Sequence, residues 1–428
     1  MLSRISTNTG HPQKTDIVKD SKYYIDLESQ YGAHNYHPLP VVLSRGEGVR
    51  VWDVEDKEYY DFLSAYSAVN QGHNHPVIVS ALQQQLSKLS LVSRAFHSDQ
   101  LGRFAQYMTG LFGYDKVLPM NTGAEAVETA IKLCRKWGYE KKGIHVNQAK
   151  IVFAAGNFHG RTLGVISASV DRDATGGFGP YMPRYHIIPY NDPRALKEAV
   201  QDPDVAGFLV EPIQGEAGVN VPDEGYLSQV SAICKEQNVL FIADEIQTGL
   251  GRTGRMLCCD HENVRPDILI LGKALSGGLY PVSAVLADDE VMLTIQPGEH
   301  GSTYGGNPLA CATAMVALEV LQKEKMPENA LKMGAIFRAG LLEIQKDYPL
   351  ISEVRGKGLL NAIELNVDPE SSAAWDLCLR MMDHGLLAKP THGNIIRFSP
   401  PLIIDVEQLR EALSIIRHSV ENLGKGIG

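Results

Sequence analysis

Long apolar runs are missing from this 428-residue sequence, and none approaches the roughly 20 residues that a membrane-spanning helix needs. The six cysteines form no CxxC pair and no other zinc-like spacing, so we expect free thiols in a reducing compartment. The net charge of −10 argues against a nucleic acid or an anionic membrane as the main partner. We therefore expect no nucleic acid and no membrane among the partners of this globular protein.

Several catalytic motifs are missing as well. The sequence has no P-loop lysine motif, no GxSxG and no HExxH. The segment GLGRTG (249–254) matches the dinucleotide pattern GxGxxG, but the residues after it make a poor crossover helix and no acid ends the next strand. We predict a loop there, which leaves a nicotinamide-linked dehydrogenase as the least favoured alternative. The cluster HNHP (73–76) is too short for a metal site, so we predict a turn and no metal.

The N-terminus, MLSRISTNTGHPQKTDIVKD, lacks the apolar core of a secretory signal. It is rich in Ser and Thr and has no acid before Asp16, which also fits the remnant of a mitochondrial presequence. We predict a cytoplasmic location, with the mitochondrial matrix as the alternative.

The middle of the chain alternates between apolar runs and helical stretches. The runs that predict buried strands are IVFAA (151–155), GFLVE (207–211), VLFIAD (239–244), ILILG (268–272) and VSAVL (282–286). Continuous apolar strands between helices indicate an α/β domain with a mainly parallel central sheet and helices on both faces. Upstream, residues 49–63 predict a strand hairpin, and helices are predicted at about 76–90 and 98–112.

The pattern changes after a long helical stretch at 307–324. Segments 351–365 and 395–404, with helices near 371–384 and 405–423, indicate a smaller α+β domain. We therefore predict three parts, which are an N-terminal segment (1–66), a large domain (67–323) and a small C-terminal domain (324–428).

One lysine, Lys273, follows the apolar run at 268–272 and is followed by small residues. Burial lowers the pKa of a lysine and makes it a nucleophilic amine suited to an imine. The alternative is a lysine whose head group reaches water. A second polar residue, Asp244, ends the run VLFIAD, at the edge where open α/β sheets bind ligands. A carboxylate there suits the cationic ring nitrogen of a pyridoxal cofactor, although a helix or turn cap fits equally well.

Two further segments suit a phosphate group. In NTGAEAVETAIKLCRKWG (121–138), Thr122 and Glu125 fit a capping box, while Gly123 and Ala124 leave the helix N-terminus open to an anion. The loop GEHGSTYGGNPLACA (298–312) offers the hydroxyls of Ser302 and Thr303 among glycines. The alternatives are a well-capped helix and a loop that leads into a helix.

Together, Lys273, Asp244, the NTGAE helix start and the GSTYGG loop resemble the class III aminotransferases, which use pyridoxal phosphate on fold type I. The resemblance runs from about residue 30 to the C-terminus. Within that family, five segments are similar to the members that act on ornithine: YGAHNYHPLPVVLSRGEG (31–48), SAYSAVNQGHNHP (64–76), AAGNFHGRT (154–162), EPIQGEAGV (211–219) and LLAKPTHGNIIRFSPPL (386–402).

The resemblance implies a role for each residue that matches the family pattern. Lys273 carries the cofactor covalently and moves the proton during transfer, and Asp244 pairs with the ring nitrogen. Thr303 reaches the phosphate of the neighbouring subunit, which implies a homodimer with active sites at its interface. The other implied cofactor contacts are Gly123, Ala124 and Ser302 at the phosphate, Phe158 and Ile246 on the ring faces, and Gln247 near the phenolic oxygen.

On the substrate side, the resemblance implies that Arg161 anchors the α-carboxylate of ornithine. Tyr36 recognises its free α-amine, and Tyr66 shapes the pocket. Arg397 takes the α-carboxylate of 2-oxoglutarate and pairs with Glu216 while ornithine is bound. A structural ion pair between Glu216 and Arg397 is the alternative.

The resulting expectation is transfer of the δ-amino group of L-ornithine to 2-oxoglutarate by a ping-pong mechanism. The alternatives within the family are enzymes for acetylornithine or GABA. A non-catalytic binding protein on the same scaffold is the alternative from another class.

Overall fold

The computed structural model describes residues 20–424. The candidate presequence remnant and the start of the predicted N-terminal segment lie outside the described residues. Among those that are described, no helix combines the length and apolar character needed to cross a membrane.

The described chain contains helices and strands in alternation over its central part. The helices are α1 Ser21–Tyr31, α2 Ser64–Ser67, α3 Pro76–Leu86, α4 Leu101–Phe112, α5 Gly123–Glu140, α6 Leu163–Ile166, α7 Arg172–Thr175, α8 Pro193–Ala199, α9 Tyr226–Glu236, α10 Asp289–Met292, α11 Pro308–Lys323, α12 Met326–Asp347, α13 Ala373–Asp383 and α14 Val406–Gly424. The strands are β1 Leu43–Glu47, β2 Arg50–Asp53, β3 Glu58–Asp61, β4 Lys116–Met120, β5 Lys150–Ala154, β6 Tyr185–Ile188, β7 Val205–Val210, β8 Leu240–Asp244, β9 Ile268–Leu271, β10 Ser283–Ala287, β11 Ile351–Lys357, β12 Leu360–Leu365, β13 Leu386–Leu387, β14 Lys389–His392 and β15 Ile395–Phe398.

A seven-stranded sheet in the order β4-β10-β9-β8-β7-β5-β6 forms the centre of the molecule. Strands β6, β5, β7, β8 and β9 are parallel, and β10 runs antiparallel to both β9 and β4. The five predicted apolar runs are all strands of this sheet, which confirms the mainly parallel α/β prediction. Every residue of β7, β8, β9 and β10 is buried, because helices cover both faces.

Helix α5 begins where the sequence predicted it. The Thr122 hydroxyl accepts the backbone N–H of Glu125, and the Glu125 carboxylate accepts that of Thr122, which confirms the capping box. The apolar side of the helix packs on the sheet, with Val127 and Ile131 among its buried residues. This packing fixes the position of the open N-terminus at the edge of the sheet.

The C-terminal part forms a second sheet in the order β11-β12-β15-β14, which packs against α12 and α13, and α14 packs against these two helices. The predicted hairpin at 49–63 is confirmed as β2 and β3. Its sheet includes β13, which pairs in parallel with β3, so the N-terminal hairpin is attached to the C-terminal part. We propose the predicted domain boundary after residue 323, because α11 ends there and α12 begins at Met326.

The rejected motifs are irregular, as predicted. GLGRTG forms a loop in which Leu250 and both Gly251 and Gly254 have left-handed backbone conformations. Its Arg252 is fully buried and donates to the Leu359 and Pro400 carbonyls. HNHP makes a turn that leads into α3.

The two helices predicted at about 76–90 and 98–112 are present but shorter than predicted. They span Pro76–Leu86 and Leu101–Phe112.

Candidate active site

Lys273 lies just beyond β9, at the carboxyl edge of the central sheet. Its φ angle of 46° is left-handed, and it begins a short 3₁₀ helix, Lys273–Ser276. Desolvation lowers the pKa of its amine, against the opposing effect of the nearby Asp244 carboxylate. Within the described residues its Nζ has no hydrogen bond or ion pair, so a partly desolvated amine faces the cleft.

Asp244 ends the neighbouring strand β8 and is buried. Its Oδ2 lies 2.7 Å from Nδ1 of His159, and its Oδ1 accepts the backbone N–H of Ile246 at 3.1 Å. The side chain of His159 is fully buried, and its Nε2 has no hydrogen-bond partner. This arrangement holds the carboxylate in one orientation at the strand end.

A second buried carboxyl group, Glu211, follows β7, the strand beside β8. Its Oε2 accepts the backbone N–H of Phe158 at 3.0 Å. Burial raises the pKa of Glu211 to about 7, an effect that His159 opposes and Asp244 reinforces. The site therefore contains a carboxyl group that changes protonation near neutral pH.

Lys273 and Asp244 line a cleft of about 190 Å³. Its other lining residues are Gly123, Ala124, Phe158, His159, Gly160, Glu211, Glu216, Ile246 and Gln247. The structure therefore brings together most of the predicted cofactor residues. A methyl group on Gly123 would lie 3.1 Å from Ile246, so glycine keeps the start of α5 close to the cleft floor.

The first backbone N–H groups of α5 have no acceptors within the helix. Gly123 and Ala124 bring this end of the helix into the cleft. The site thus combines free N–H donors, an ionisable carboxyl group and a partly desolvated amine.

Arg397, on β15, is buried beside this cleft. Its Nη1 lies 2.9 Å from Oε2 of Glu216 and 3.5 Å from Oε1 of Gln247. Its guanidinium also lies 5.5 Å from the ring centre of Tyr66. The predicted pair of Glu216 and Arg397 is therefore formed, next to the residue predicted to shape the pocket.

Tyr66 is held by an unusual backbone segment. All four residues of α2, Ser64–Ser67, have left-handed φ angles, although none is glycine. Oδ1 of Asp61 accepts the N–H groups of Leu63 and Ser64, and the carbonyl of Tyr66 accepts Nε2 of Gln247 at 3.2 Å. Such strain persists where surrounding contacts determine the conformation.

The remaining predicted residues lie at or beyond the rim. Arg161 stacks over Phe158, with a distance of 5.3 Å from guanidinium to ring, and 55% of its side chain is exposed. Tyr36 is 71% exposed. Ser302 accepts hydrogen bonds from Asn121 Nδ2 at 2.8 Å and from a backbone N–H of its own loop. Thr303 is exposed and does not line the cleft.

Known proteins resemble the chain over nearly its whole length. A family model described as aminotransferase class-III matches residues 31–420. The mitochondrial ornithine aminotransferase of Rattus norvegicus is 62% identical over 400 residues, covering 94% of this chain and 90% of its own. An ornithine aminotransferase structure from Toxoplasma gondii gives a TM-score of 0.94 at 47% identity, covering 96% of each chain. An acetylornithine aminotransferase structure from Elizabethkingia anophelis gives 0.87 at 58% identity, covering 94% of this chain and 100% of that one.

The chain belongs to the class-III aminotransferases. As a member of this family it is a pyridoxal-phosphate-dependent aminotransferase of fold type I, which confirms the predicted fold, enzyme class and cofactor. The residues at the cleft fit this cofactor. Phosphate suits the free N–H groups of α5, a cationic ring nitrogen suits Asp244, and an aldehyde suits the unpartnered amine of Lys273.

The sequence analysis missed His159 and Glu211. His159 lies in AAGNFHGRT and Glu211 in EPIQGEAGV. Glu211, like Asp244, lies at the carboxyl end of a buried strand, so the rule that identifies Asp244 also indicates Glu211. His159 carries no such signal, because its contact with Asp244 joins residues 85 positions apart.

Proposed function

We propose that this enzyme is an ornithine δ-aminotransferase, which transfers the δ-amino group of L-ornithine to 2-oxoglutarate. The products are glutamate and glutamate-5-semialdehyde, which cyclises to pyrroline-5-carboxylate. The main support is the 2.9 Å pairing of Glu216 with Arg397 beside the amine of Lys273, while Arg161 lies exposed at the rim. Arg397 is closely paired, whereas Arg161 has only a long, solvent-exposed contact of 3.9 Å with Asp171, which a substrate carboxylate can replace.

Binding of ornithine begins at Arg161, whose guanidinium binds a carboxylate through two hydrogen bonds. Tyr36 supplies an oxygen for the free α-amine, and the Tyr66 ring limits the pocket beside it. The δ-amine then points towards Lys273. With Arg397 paired to Glu216, the α-carboxylate has no second arginine that could hold it in the reverse orientation.

Pyridoxal phosphate, when bound, supplies a carbonyl carbon that condenses with amines and a ring that withdraws electrons from the substrate carbon. Asp244, oriented by His159, would keep a negative charge near the ring nitrogen. Phe158 and Ile246 would hold the ring between them, and Gln247 would donate to its phenolic oxygen. Nζ of Lys273 removes the proton from the δ-carbon of the substrate and later returns a proton, acting as base and then as acid.

The second half-reaction needs the opposite charge pattern, because 2-oxoglutarate carries two carboxylates. Glu216 is partly exposed, with 29% of its side chain accessible, whereas Arg397 is almost fully buried. Glu216 can therefore swing away and leave Arg397 free for the α-carboxylate. Arg161 remains available for the distal carboxylate.

We also propose a homodimer with active sites at its interface. Helix α1 has no buried residue, and its tyrosines Tyr23, Tyr24 and Tyr31 are exposed. Tyr36, which the proposed mechanism needs in the site, is also exposed. A second copy that covers this surface would enclose Tyr36 and receive Thr303 at its phosphate site. Sedimentation of the holoenzyme measures the assembly.

The cellular location stays a proposal. We favour the cytoplasm and keep the mitochondrial matrix as the alternative, which the name of the rat relative supports. Fractionation of cells that express the full chain separates the two locations.

The function is tested with L-ornithine and N-acetylornithine, each mixed with the holoenzyme in the absence of 2-oxoglutarate. We expect ornithine alone to change the visible absorbance of the cofactor and to yield trapped pyrroline-5-carboxylate. A response to N-acetylornithine alone would assign the enzyme to the activity named for the Elizabethkingia structure. GABA is mixed with the holoenzyme in the same way, and a response to GABA alone would favour a GABA aminotransferase.

A further inference from the structure

The loop that carries Ser302 and Thr303 is bonded to helix α5, and the two contacts nearest to Thr303 are made by Ser302 and His300. Ser302 bonds to Asn121, just before the helix starts. Two turns further along, the partly buried ring of His300 lies against the same helix, with Nε2 at 2.9 Å from the Thr129 hydroxyl and Nδ1 at 2.9 Å from Nζ of Lys132.

The partners of His300 define which ring nitrogen carries the proton. The Thr129 hydroxyl already donates to the Glu125 carbonyl at 2.7 Å, so it accepts from His300 Nε2. The Lys132 ammonium can only donate hydrogen bonds, so Nδ1 of His300 accepts from it. Both bonds together require a neutral imidazole with its proton on Nε2.

We propose that His300 is a positioning residue that, in its neutral form, latches the Thr303 loop onto the helix whose N-terminus holds the cofactor phosphate. This inference rests on the proposed function, in which Thr303 serves the phosphate site of the partner subunit. The latch connects the two phosphate sites of a dimer, because α5 serves one and the attached loop serves the other.

Protonation of His300 opens the latch. A proton on Nδ1 would face the Lys132 ammonium, replacing a hydrogen bond with repulsion. Burial and the neighbouring Lys132 lower the pKa of His300 below its usual range, and Glu125 opposes this effect. The latch is therefore closed at neutral pH and opens as the solution becomes acidic.

The other charged groups around the loop do not replace this contact. Lys132 also donates to the Glu299 carbonyl at 3.1 Å, and Lys136 pairs with the Glu299 carboxylate. Both pairs hold the loop one residue before His300, on the side away from Thr303. His300 and Ser302 are the contacts that flank Gly301, so the loss of the His300 contact leaves the segment that carries Thr303 attached to α5 only through Ser302 on that side.

The test measures the rate at which holoenzyme loses pyridoxal phosphate after dilution, followed by visible absorbance, from pH 8 down to mildly acidic pH. We expect His300→Ala to release the cofactor about tenfold faster than the wild type at pH 8, the typical effect of losing a hydrogen bond to a charged group. The ratio falls towards one in acid, because the wild type then loses its latch. The glutamine of His300→Gln offers a hydrogen-bond donor and an acceptor that do not titrate. This variant should therefore release the cofactor slowly at pH 8 and at acidic pH.

Two further variants make the outcome decisive. His186→Ala removes an exposed histidine of the edge strand β6 and should leave the release rate unchanged at every pH. Thr303→Ala should accelerate release on its own. If Thr303→Ala accelerates release and His300→Ala does not, the latch is refuted while the proposed role of Thr303 stands. If neither variant has an effect, the role of Thr303 in the proposed function is refuted as well. A His300→Ala effect that is equal at all pH values would overturn the protonation switch.

Discussion

Nδ1 of His159 lies 2.7 Å from Oδ2 of Asp244, and both side chains are buried at the carboxyl edge of the central sheet. A buried carboxylate is stable only when its oxygens accept hydrogen bonds. His159 therefore keeps Asp244 in place as the counter-charge that the cofactor ring requires. The contact makes His159 a positioning residue, although it reaches no substrate itself.

Replacing His159 with leucine should lower kcat by roughly 10- to 100-fold, because the lost hydrogen bond to a charged group is worth about 1.5–3 kcal/mol. His159→Gln should retain part of the activity through its amide donor. The measurement is kcat together with the pH dependence of the cofactor absorbance. His186→Leu, which replaces an exposed histidine of β6, is the control and should leave kcat unchanged. Full activity of a folded, cofactor-loaded His159→Leu enzyme would contradict the assignment.

Glu211→Gln should stabilise the protein in alkaline solution. The folded-state pKa of about 7 exceeds the ordinary value of 4.5, so folding favours the protonated carboxyl. This contribution is fully present below pH 4.5 and is lost as the pH rises through 7. Glutamine keeps the neutral shape at every pH, so its advantage in the free energy of unfolding grows to at most about 3 kcal/mol above pH 7.

Denaturant unfolding of the apoprotein at pH 5 and pH 8 measures this difference. Glu224→Gln, at an exposed glutamate, serves as the control and should show no comparable gain. A gain for Glu211→Gln that is the same at both pH values would mean that Glu211 does not titrate in this range.

Glu216→Gln should separate the two substrates. With its partner neutralised, Arg397 becomes available to carboxylates at all times, so kcat/KM for ornithine should fall about tenfold or more. The half-reaction with 2-oxoglutarate should proceed at an unchanged or higher rate. Single-turnover absorbance changes with each substrate provide the measurement. Glu353→Gln removes one carboxylate partner of Arg355, an arginine of β11, and serves as the control. Equal losses with both substrates would support the structural ion pair instead.

The cysteines should be inert in the folded enzyme. All six are free and buried, and burial raises the pKa of Cys134 and Cys311 to about 12. Because the thiolate is the reactive form, an exposed-thiol reagent should label none of them at neutral pH and should leave activity unchanged. Counting labelled thiols before and after denaturation checks this. Rapid labelling of the native protein would show that the core opens locally.

The sequence predicted the central strands well because each is a continuous apolar run between helices. It missed β4 and β6, for different reasons. In β4, Lys116 and Pro119 interrupt the pattern, and an antiparallel edge strand tolerates both. In β6, at the other edge, alternating exposure leaves only Ile188 buried.

At the site, the sequence indicated which chemical groups are present but not which of them touch. Lys273 and Asp244 could be identified because each lies at the carboxyl end of a buried strand. The left-handed turn at 64–67 could not be predicted from the sequence, because it contains no glycine or asparagine, the residues that usually adopt such a backbone conformation. Its conformation depends on contacts with residues far along the chain, and local sequence does not encode those.

That turn also makes one wall of the pocket depend on distant parts of the chain. Left-handed geometry costs roughly 1–2 kcal/mol per non-glycine residue, so four such residues cannot hold it in isolation. The Leu63 carbonyl accepts from the Ser399 hydroxyl, which follows β15, and the Tyr66 carbonyl accepts from Gln247, which follows β8. The wall at Tyr66 therefore depends on two separate parts of the chain, whereas the start of α5 and Lys273 belong to the central sheet region alone. A disturbance of the C-terminal part would thus reach the selection of the amine without passing through the residues that bind the cofactor.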